Sequence, residues 1–162
     1  MLDIATQPDL CGAAAVTRGL RRMFARHQIF LLPEVSLRNG RRADLMGIDA
    51  KGQLIIVEIK CSRADLLGDQ KWRDYLEFCD RFYWAVPPEM DDKLLEREVL
   101  EPERTGLIVA DAYDAAIVRP AVSTPLAAAR RKTECQRLAR IAMRRHTMLC
   151  DPEVGWGPEP SD

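Results

Sequence analysis

Three residues near the middle of the chain have types and spacing that suit hydrolytic chemistry: Asp44, Glu58 and Lys60, in the order Asp44-x13-Glu58-x-Lys60. Glu58 and Lys60 interrupt a nearly continuous apolar run, Leu54-Ile55-Ile56-Val57 with Ile59, the pattern of a strand covered on both faces. Side chains alternate along a strand, so Glu58 and Lys60 share one face. An ionised carboxylate buried there without a partner costs several kcal/mol. A divalent cation is one compensating group, and a structural ion pair is the other. Asp44 stands in the preceding run, Arg42-Ala43-Asp44-Leu45-Met46. Pairing of the two runs across the turn Asp49-Ala50-Lys51-Gly52 brings Asp44 opposite or diagonal to Glu58. Two converging carboxylates make an oxygen site for Mg²⁺ (or Mn²⁺), with the Ile59 backbone carbonyl as a third candidate ligand. Lys60 would then orient an attacking water, help deprotonate it, or stabilise charge on a phosphoryl oxygen.

The elements that must position these residues are legible as changes of period. Residues 11–26 place Ala13, Val16, Leu20, Met23 and Phe24 at helical spacing, with Arg18, Arg21, Arg22 and Arg26 on the remaining face. Residues 29–37, 43–48 and 53–61 then predict a three-strand meander, with a hairpin signal at Arg38-Asn39-Gly40-Arg41. A helix is expected over 62–79 and a fourth strand over 81–86, stopped by Pro87-Pro88. Further expectations are a helix over 90–100 and strands over 106–110 and 115–118. A last helix should be capped by Ser123 or Thr124, carry Pro125 at its first position and end near Met148. Trp72, Phe82, Tyr83 and Trp84 read as core. The whole is one α/β domain over 1–148, with a mixed central sheet flanked by helices. An acidic tail with Pro and Gly follows over 149–162, where Trp156 is the candidate for packing onto the body.

Glu34 depends on the hairpin register. A two-residue loop puts Val35 opposite Asp44; a three-residue loop with left-handed Gly40 puts Glu34 there, as a third carboxylate. In the expected helix, Lys71 and Tyr75 are four apart and share a face. Asp65 and Asp69 have the same spacing and would reach a second metal or hold Lys71 or Arg73.

The chain of 162 residues has 24 Lys+Arg against 25 Asp+Glu, a net charge of −1. Residues 125–146 carry seven basic side chains and one acidic one, so a neutral total does not exclude a polyanion partner. Arg137 and Arg140 on that predicted helix are candidate phosphate contacts, and the arginines over 11–26 would extend the same patch. Hydrophobic residues make up 47% and charged residues 30%, which excludes wholesale disorder. There is no apolar run long enough for a membrane span and no signal-peptide pattern. Five scattered cysteines without a CxxC argue for reduced thiols and a cytoplasmic setting. His27 and His146 are isolated, and no P-loop or GxGxxG occurs.

Asp44, Glu58 and Lys60, with this order of elements, resemble the PD-(D/E)xK nuclease superfamily, although Ala43 stands where its Pro is common. The longer set Arg41–Leu45, Val57-Glu58-Ile59-Lys60, Ser62–Leu66, Asp69-Gln70-Lys71-Trp72, Tyr75 and Cys79–Pro87 resembles the MmcB-type bacterial DNA-repair family. The resemblance implies a restriction-endonuclease-like fold, DNA as partner, a role in repair beside other repair proteins, and Mg²⁺-dependent phosphodiester hydrolysis. Lys71 and Tyr75 are similar to the Gln-x3-Tyr element of RecB-like nucleases, with Lys for Gln, and with Arg42 would contact the DNA. The alternatives are a DNA-binding module of the same fold that does not cut, and an adaptor in a repair complex. The sequence leaves the oligomeric state open.

Overall fold

Runs rich in β-forming residues, separated by turns, fold as Phe30–Ser36 (β1), Arg42–Ile48 (β2) and Leu54–Ile59 (β3), an antiparallel meander. The computed structural model describes residues 12–90, 93 and 96–154. Helix α1 (Gly12–Arg26) precedes the meander. After it come α2 (Arg63–Gly68), a 3₁₀ helix (Trp72–Phe78), β4 (Arg81–Val86), a 3₁₀ turn (Glu98–Leu100), β5 (Gly106–Ala110), β6 (Ala115–Arg119) and α3 (Ala128–Cys150). The strands lie in sequence order in one six-stranded sheet. β3, β4 and β5 are mutually parallel, while β1, β2 and β6 are antiparallel to their neighbours. This is the expected α/β fold with a mixed sheet.

β3 is buried at every residue because both faces of the sheet are covered. On one face Leu54, Ile56, Phe82 and Trp84 pack against Leu66, Trp72, Tyr75 and Phe78, and against Leu138 and Ile141 of α3. On the other, Ile55, Val57, Ile59, Tyr83 and Ala85 pack against Val16, Leu20, Met23 and Phe24 of α1. Trp72, Phe82, Tyr83 and Trp84 are core, as read from the sequence. The two basic helices therefore lie on opposite faces, and the arginines of α1 do not extend the basic patch of α3. Arg22 and Arg26 turn instead to the β5–β6 turn, at the Tyr113 carbonyl and the Asp114 carboxylate.

Three expected helices change. The one predicted over 62–79 breaks at Asp69, whose Oδ1 accepts the Lys71 amide at 3.0 Å. A short carboxylate side chain competes here with the helical ladder. The predicted helix over 90–100 is reduced, among the described residues, to the turn Glu98–Leu100, and residues 91, 92, 94 and 95 lie outside the description. The last helix starts at Ala128 rather than near Thr124. The cause is Asp80, which is 1% exposed. Its carboxylate accepts the Leu54 and Leu126 amides, each at 2.8 Å, and its carbonyl accepts the Thr124 amide. Arg131 of α3 closes the cluster with an ion pair to the same carboxylate. Those amides are spent outside any helix, so the segment around Pro125 stays extended. The helix end moves to Cys150, beyond the expected Met148, and the tail reading at Trp156 lies outside the described residues.

Asp80 thus joins β3, the connection to α3 and α3 itself. Burial pushes its carboxyl up, but hydrogen bonds from Arg131, Leu126 and Leu54 together outweigh this and hold it below the usual range. A depressed carboxyl stabilises the fold above its unfolded pKa and loses that contribution as pH falls through the folded value. Asp80→Ala is expected to lower stability by about 3 kcal/mol at pH 7. The deficit should shrink as the pH falls below about 4. Urea denaturation at several pH values measures this; a loss below about 1 kcal/mol at pH 7 would contradict the role.

Candidate metal and hydrolysis site

β2 and β3 pair from Ile48↔Leu54 to Leu45↔Val57, and the ladder ends there. One residue further, the strands exchange side chains for ladder bonds. The Asp44 amide donates to Glu58 Oε1 at 3.1 Å, and the Ile59 amide donates to Asp44 Oδ2 at 2.8 Å. Each carboxylate caps an amide on or beside the other, which satisfies both donors where the strands part. The carboxylates are thereby fixed side by side, with Asp44 Oδ1 and Glu58 Oε2 not used in these bonds.

Burial sets the electrostatics. Glu58 is 3% exposed and Lys60 is 7% exposed. Burial first, and the neighbouring Asp44 charge second, push the Glu58 carboxyl up to about 8, against the opposing pull of the Asp44 amide and Lys60. Burial also raises Asp44, although the Ile59 amide and Lys60 act against it. Lys60 Nζ lies 3.8 Å from Glu58 Oε2, 3.8 Å from Asp65 and 2.8 Å from Asp69. Burial works against its ammonium, but Asp69, Glu58 and Asp65 outweigh that and hold its pKa above the ordinary lysine value. Asp65 and Asp69 therefore serve Lys60 rather than Lys71 or Arg73. The expected spacing found the pair; the helix break that turns Asp69 towards Lys60 carried no signal in the periodicity.

The hairpin takes the three-residue form. Leu37 donates to Arg41, Gly40 donates back to Leu37, and Gly40 has φ 80°, which a left-handed G1 position demands. The pairs Pro33↔Leu45 and Val35↔Ala43 place Glu34 across from Asp44. Glu34 itself has φ 48°, a costly backbone state for a residue with a Cβ. Its exposed carboxylate meets Arg42 at 3.6 Å. It has the register of a third carboxylate, with its side chain directed to Arg42.

The other sequence candidates divide. Tyr75 is buried at 8% exposure and donates its hydroxyl to the Arg42 carbonyl at 3.1 Å, so it stitches the 3₁₀ helix to β2 instead of facing DNA. Burial first, and then the charges of Glu58, Asp69 and Asp44, push its phenol well up, which puts it beside the carboxylates. Lys71 and Arg42 are exposed. Arg137 is not a phosphate contact: it is 4% exposed, paired with Glu134 at 2.9 Å and bonded to the Ser36 carbonyl. Arg145 similarly binds the Pro33 and Glu34 carbonyls. Both cover polar groups of the edge strand β1, which would otherwise be a pairing template. Arg140 is exposed on α3.

Among the described residues, no group of three or more His, Cys, Asp or Glu side chains has metal-ligand geometry. The candidate donor set is the Asp44–Glu58 pair with the Ile59 carbonyl. Cys61, Cys79, Cys135 and Cys150 are free thiols. No described helix is long and apolar enough to cross a membrane.

A family model described as "DNA repair protein MmcB-like" matches residues 5–153. A solved structure titled "SPO1766 protein of unknown function from Silicibacter pomeroyi" is similar at 44% identity, covering 91% of this chain and 97% of that one, with a TM-score of 0.81. No curated protein matches.

The Glu58 carboxyl yields a prediction with a definite sign. A raised folded-state pKa favours folding fully below the unfolded value of 4.5, and the contribution is lost as pH rises towards about 8. In metal-free buffer Glu58→Gln should melt above the parent at pH 8, and the gap should close towards pH 5. Circular-dichroism melts with a chelator present measure it; parallel pH profiles would refute the assignment.

Proposed function

The chain belongs to the MmcB-like DNA repair protein family, and from that premise we propose that it hydrolyses DNA phosphodiester bonds with a divalent cation. One observation carries this reading: the buried Glu58 and the half-buried Asp44 hold one carboxylate oxygen each on a backbone amide and keep the other uncommitted by those bonds. Beside them Asp65 and Asp69 approach the ammonium of Lys60, which also meets Glu58. That concentration of carboxylates, with the Glu58 carboxyl raised first by burial and then by the Asp44 charge, suits Mg²⁺ or Mn²⁺, which take hard oxygen ligands. Asp44 and Glu58 would hold the ion, with the Ile59 carbonyl as third protein donor. The cation supplies Lewis acidity towards a phosphoryl oxygen and lowers the pKa of water.

The chain's own residues divide the remaining work. Lys60, kept as an ammonium by Asp69, is a hydrogen-bond donor and a fixed positive charge rather than a base. Its role is to orient the attacking water and stabilise charge on the phosphate. Arg42 and Lys71 supply exposed cations that position the strand. A second reading, a DNA-binding member of the fold that does not cut, draws on one fact: Lys60 Nζ is already engaged by Asp69 at 2.8 Å.

Incubation with single-stranded, duplex and branched DNA under Mg²⁺ or Mn²⁺ tests the proposal. The parent should release product that a chelator abolishes, and Glu58→Gln, Asp44→Asn and Lys60→Ala should release none while keeping the parent's circular-dichroism spectrum. Equal cleavage by Glu58→Gln would remove the assignment. Salt-sensitive DNA binding without metal-dependent product would favour the second reading.

A further inference from the structure

We propose that DNA docks, through its phosphodiester backbone, on a rim made by Arg38 and Arg42 of the β1–β2 hairpin and by Lys71, and not along the basic helix α3. The inference rests on the reading that this protein acts on DNA and goes on to say where the strand lies.

α3 is the obvious footprint by charge, but four of its arginines have other work. Arg131 is bound to Asp80, Arg137 to Glu134 and Ser36, and Arg145 to the Pro33 and Glu34 carbonyls. Arg130 lies over the Phe78 ring at 5.4 Å. Lys132 and Arg140 are exposed, while Leu138 and Ile141 are the residues that meet the sheet. At helical spacing this puts Lys132, Gln136 and Arg140 on one outward stripe, on the side of α3 away from the sheet.

The rim has the opposite character. Arg38 and Lys71 are exposed and have no side-chain partner among the described residues. Arg42 meets only Glu34 there, at 3.6 Å with both side chains more than 60% exposed, a pair worth little and easily traded for a phosphate. The rim is held rigidly. Asn39 Nδ2 donates to the Asp74 carbonyl at 3.0 Å, and Arg41 grips the Asp74 carboxylate at 2.8 and 2.9 Å. Tyr75 adds its bond to the Arg42 carbonyl. The hairpin and the 3₁₀ helix are thus one surface.

It also borders the carboxylates on both sides. Arg42 is two residues from Asp44, and the Lys71 amide shares Asp69 with Lys60. A phosphate approaching Asp44 and Glu58 meets repulsion, and cations at this border offset it where it is felt. Cations on the outer stripe of α3 would hold the strand away from the site.

Fluorescence anisotropy of a labelled oligodeoxynucleotide, single-stranded and duplex, across a salt series tests this on the full chain. Arg38→Gln, Arg42→Gln and Lys71→Gln should each weaken binding roughly eightfold at about 0.1 M salt and lower the salt slope by about one, as counterion release requires. Lys132→Gln and Arg140→Gln should bind like the parent. Loss from the α3 variants equal to that from the rim variants would overturn the proposal, as would rim variants that bind normally. A parent with no salt-dependent affinity for DNA would also overturn it and assign the rim to a protein partner. Cleavage by Glu58→Gln equal to the parent's, with rim-dependent binding intact, would remove the hydrolytic reading and leave this one standing.

Discussion

The structure turns on two hydrogen bonds at the point where β2 and β3 part. In an ordinary antiparallel pair the amides of Asp44 and Ile59 would find strand or solvent partners. Here they are taken by Glu58 and Asp44 side chains. The exchange fixes two acids against each other inside a sheet that is buried on both faces. Burial first, and the neighbouring Asp44 charge second, resist ionisation of Glu58 and raise its carboxyl. The rest of the site answers that strain: Lys60 approaches Glu58, and Asp69 gives up helical continuity to hold Lys60.

Charge elsewhere in the chain is mainly structural. Asp80 and Arg131 anchor α3 to β3, and Arg137 and Arg145 cover the carbonyls of the edge strand β1. Arg131, Arg137 and Arg145 therefore report how α3 is fastened to the sheet. This leaves the hairpin, whose cations are exposed on a braced backbone, as the positive surface bordering the acids.

The fold was largely legible because β3 is an apolar run interrupted by Glu58 and followed by Lys60, and its neighbours are runs of β-forming residues bounded by turn signals. Turn length made a pairing of Asp44 with Glu58 accessible, while the sequence left two registers open for Glu34, and the loop hydrogen bonds with Gly40 at φ 80° decide between them. What the sequence concealed depends on tertiary bonds. Periodicity over 62–79 is helical, yet Asp69 finds better partners in the Lys71 amide and Lys60. Pro125 reads as a helix start, yet the Leu126 amide belongs to Asp80. Arg137 reads as a phosphate contact because nothing local reveals the Ser36 carbonyl, a hundred residues earlier in the chain, that it covers. Which oxygens and guanidinium groups remain uncommitted is likewise a matter of tertiary bonds that the sequence does not carry.

Crystals grown with Mn²⁺, and anomalous scattering recorded from them, address the central claim most directly. An anomalous peak in contact with Asp44 Oδ1 and Glu58 Oε2 is expected, lost in Glu58→Gln with the β2–β3 geometry unchanged. A parent crystal in which that position stays dark, or in which the ion binds elsewhere while Asp44 and Glu58 keep their places, would contradict it.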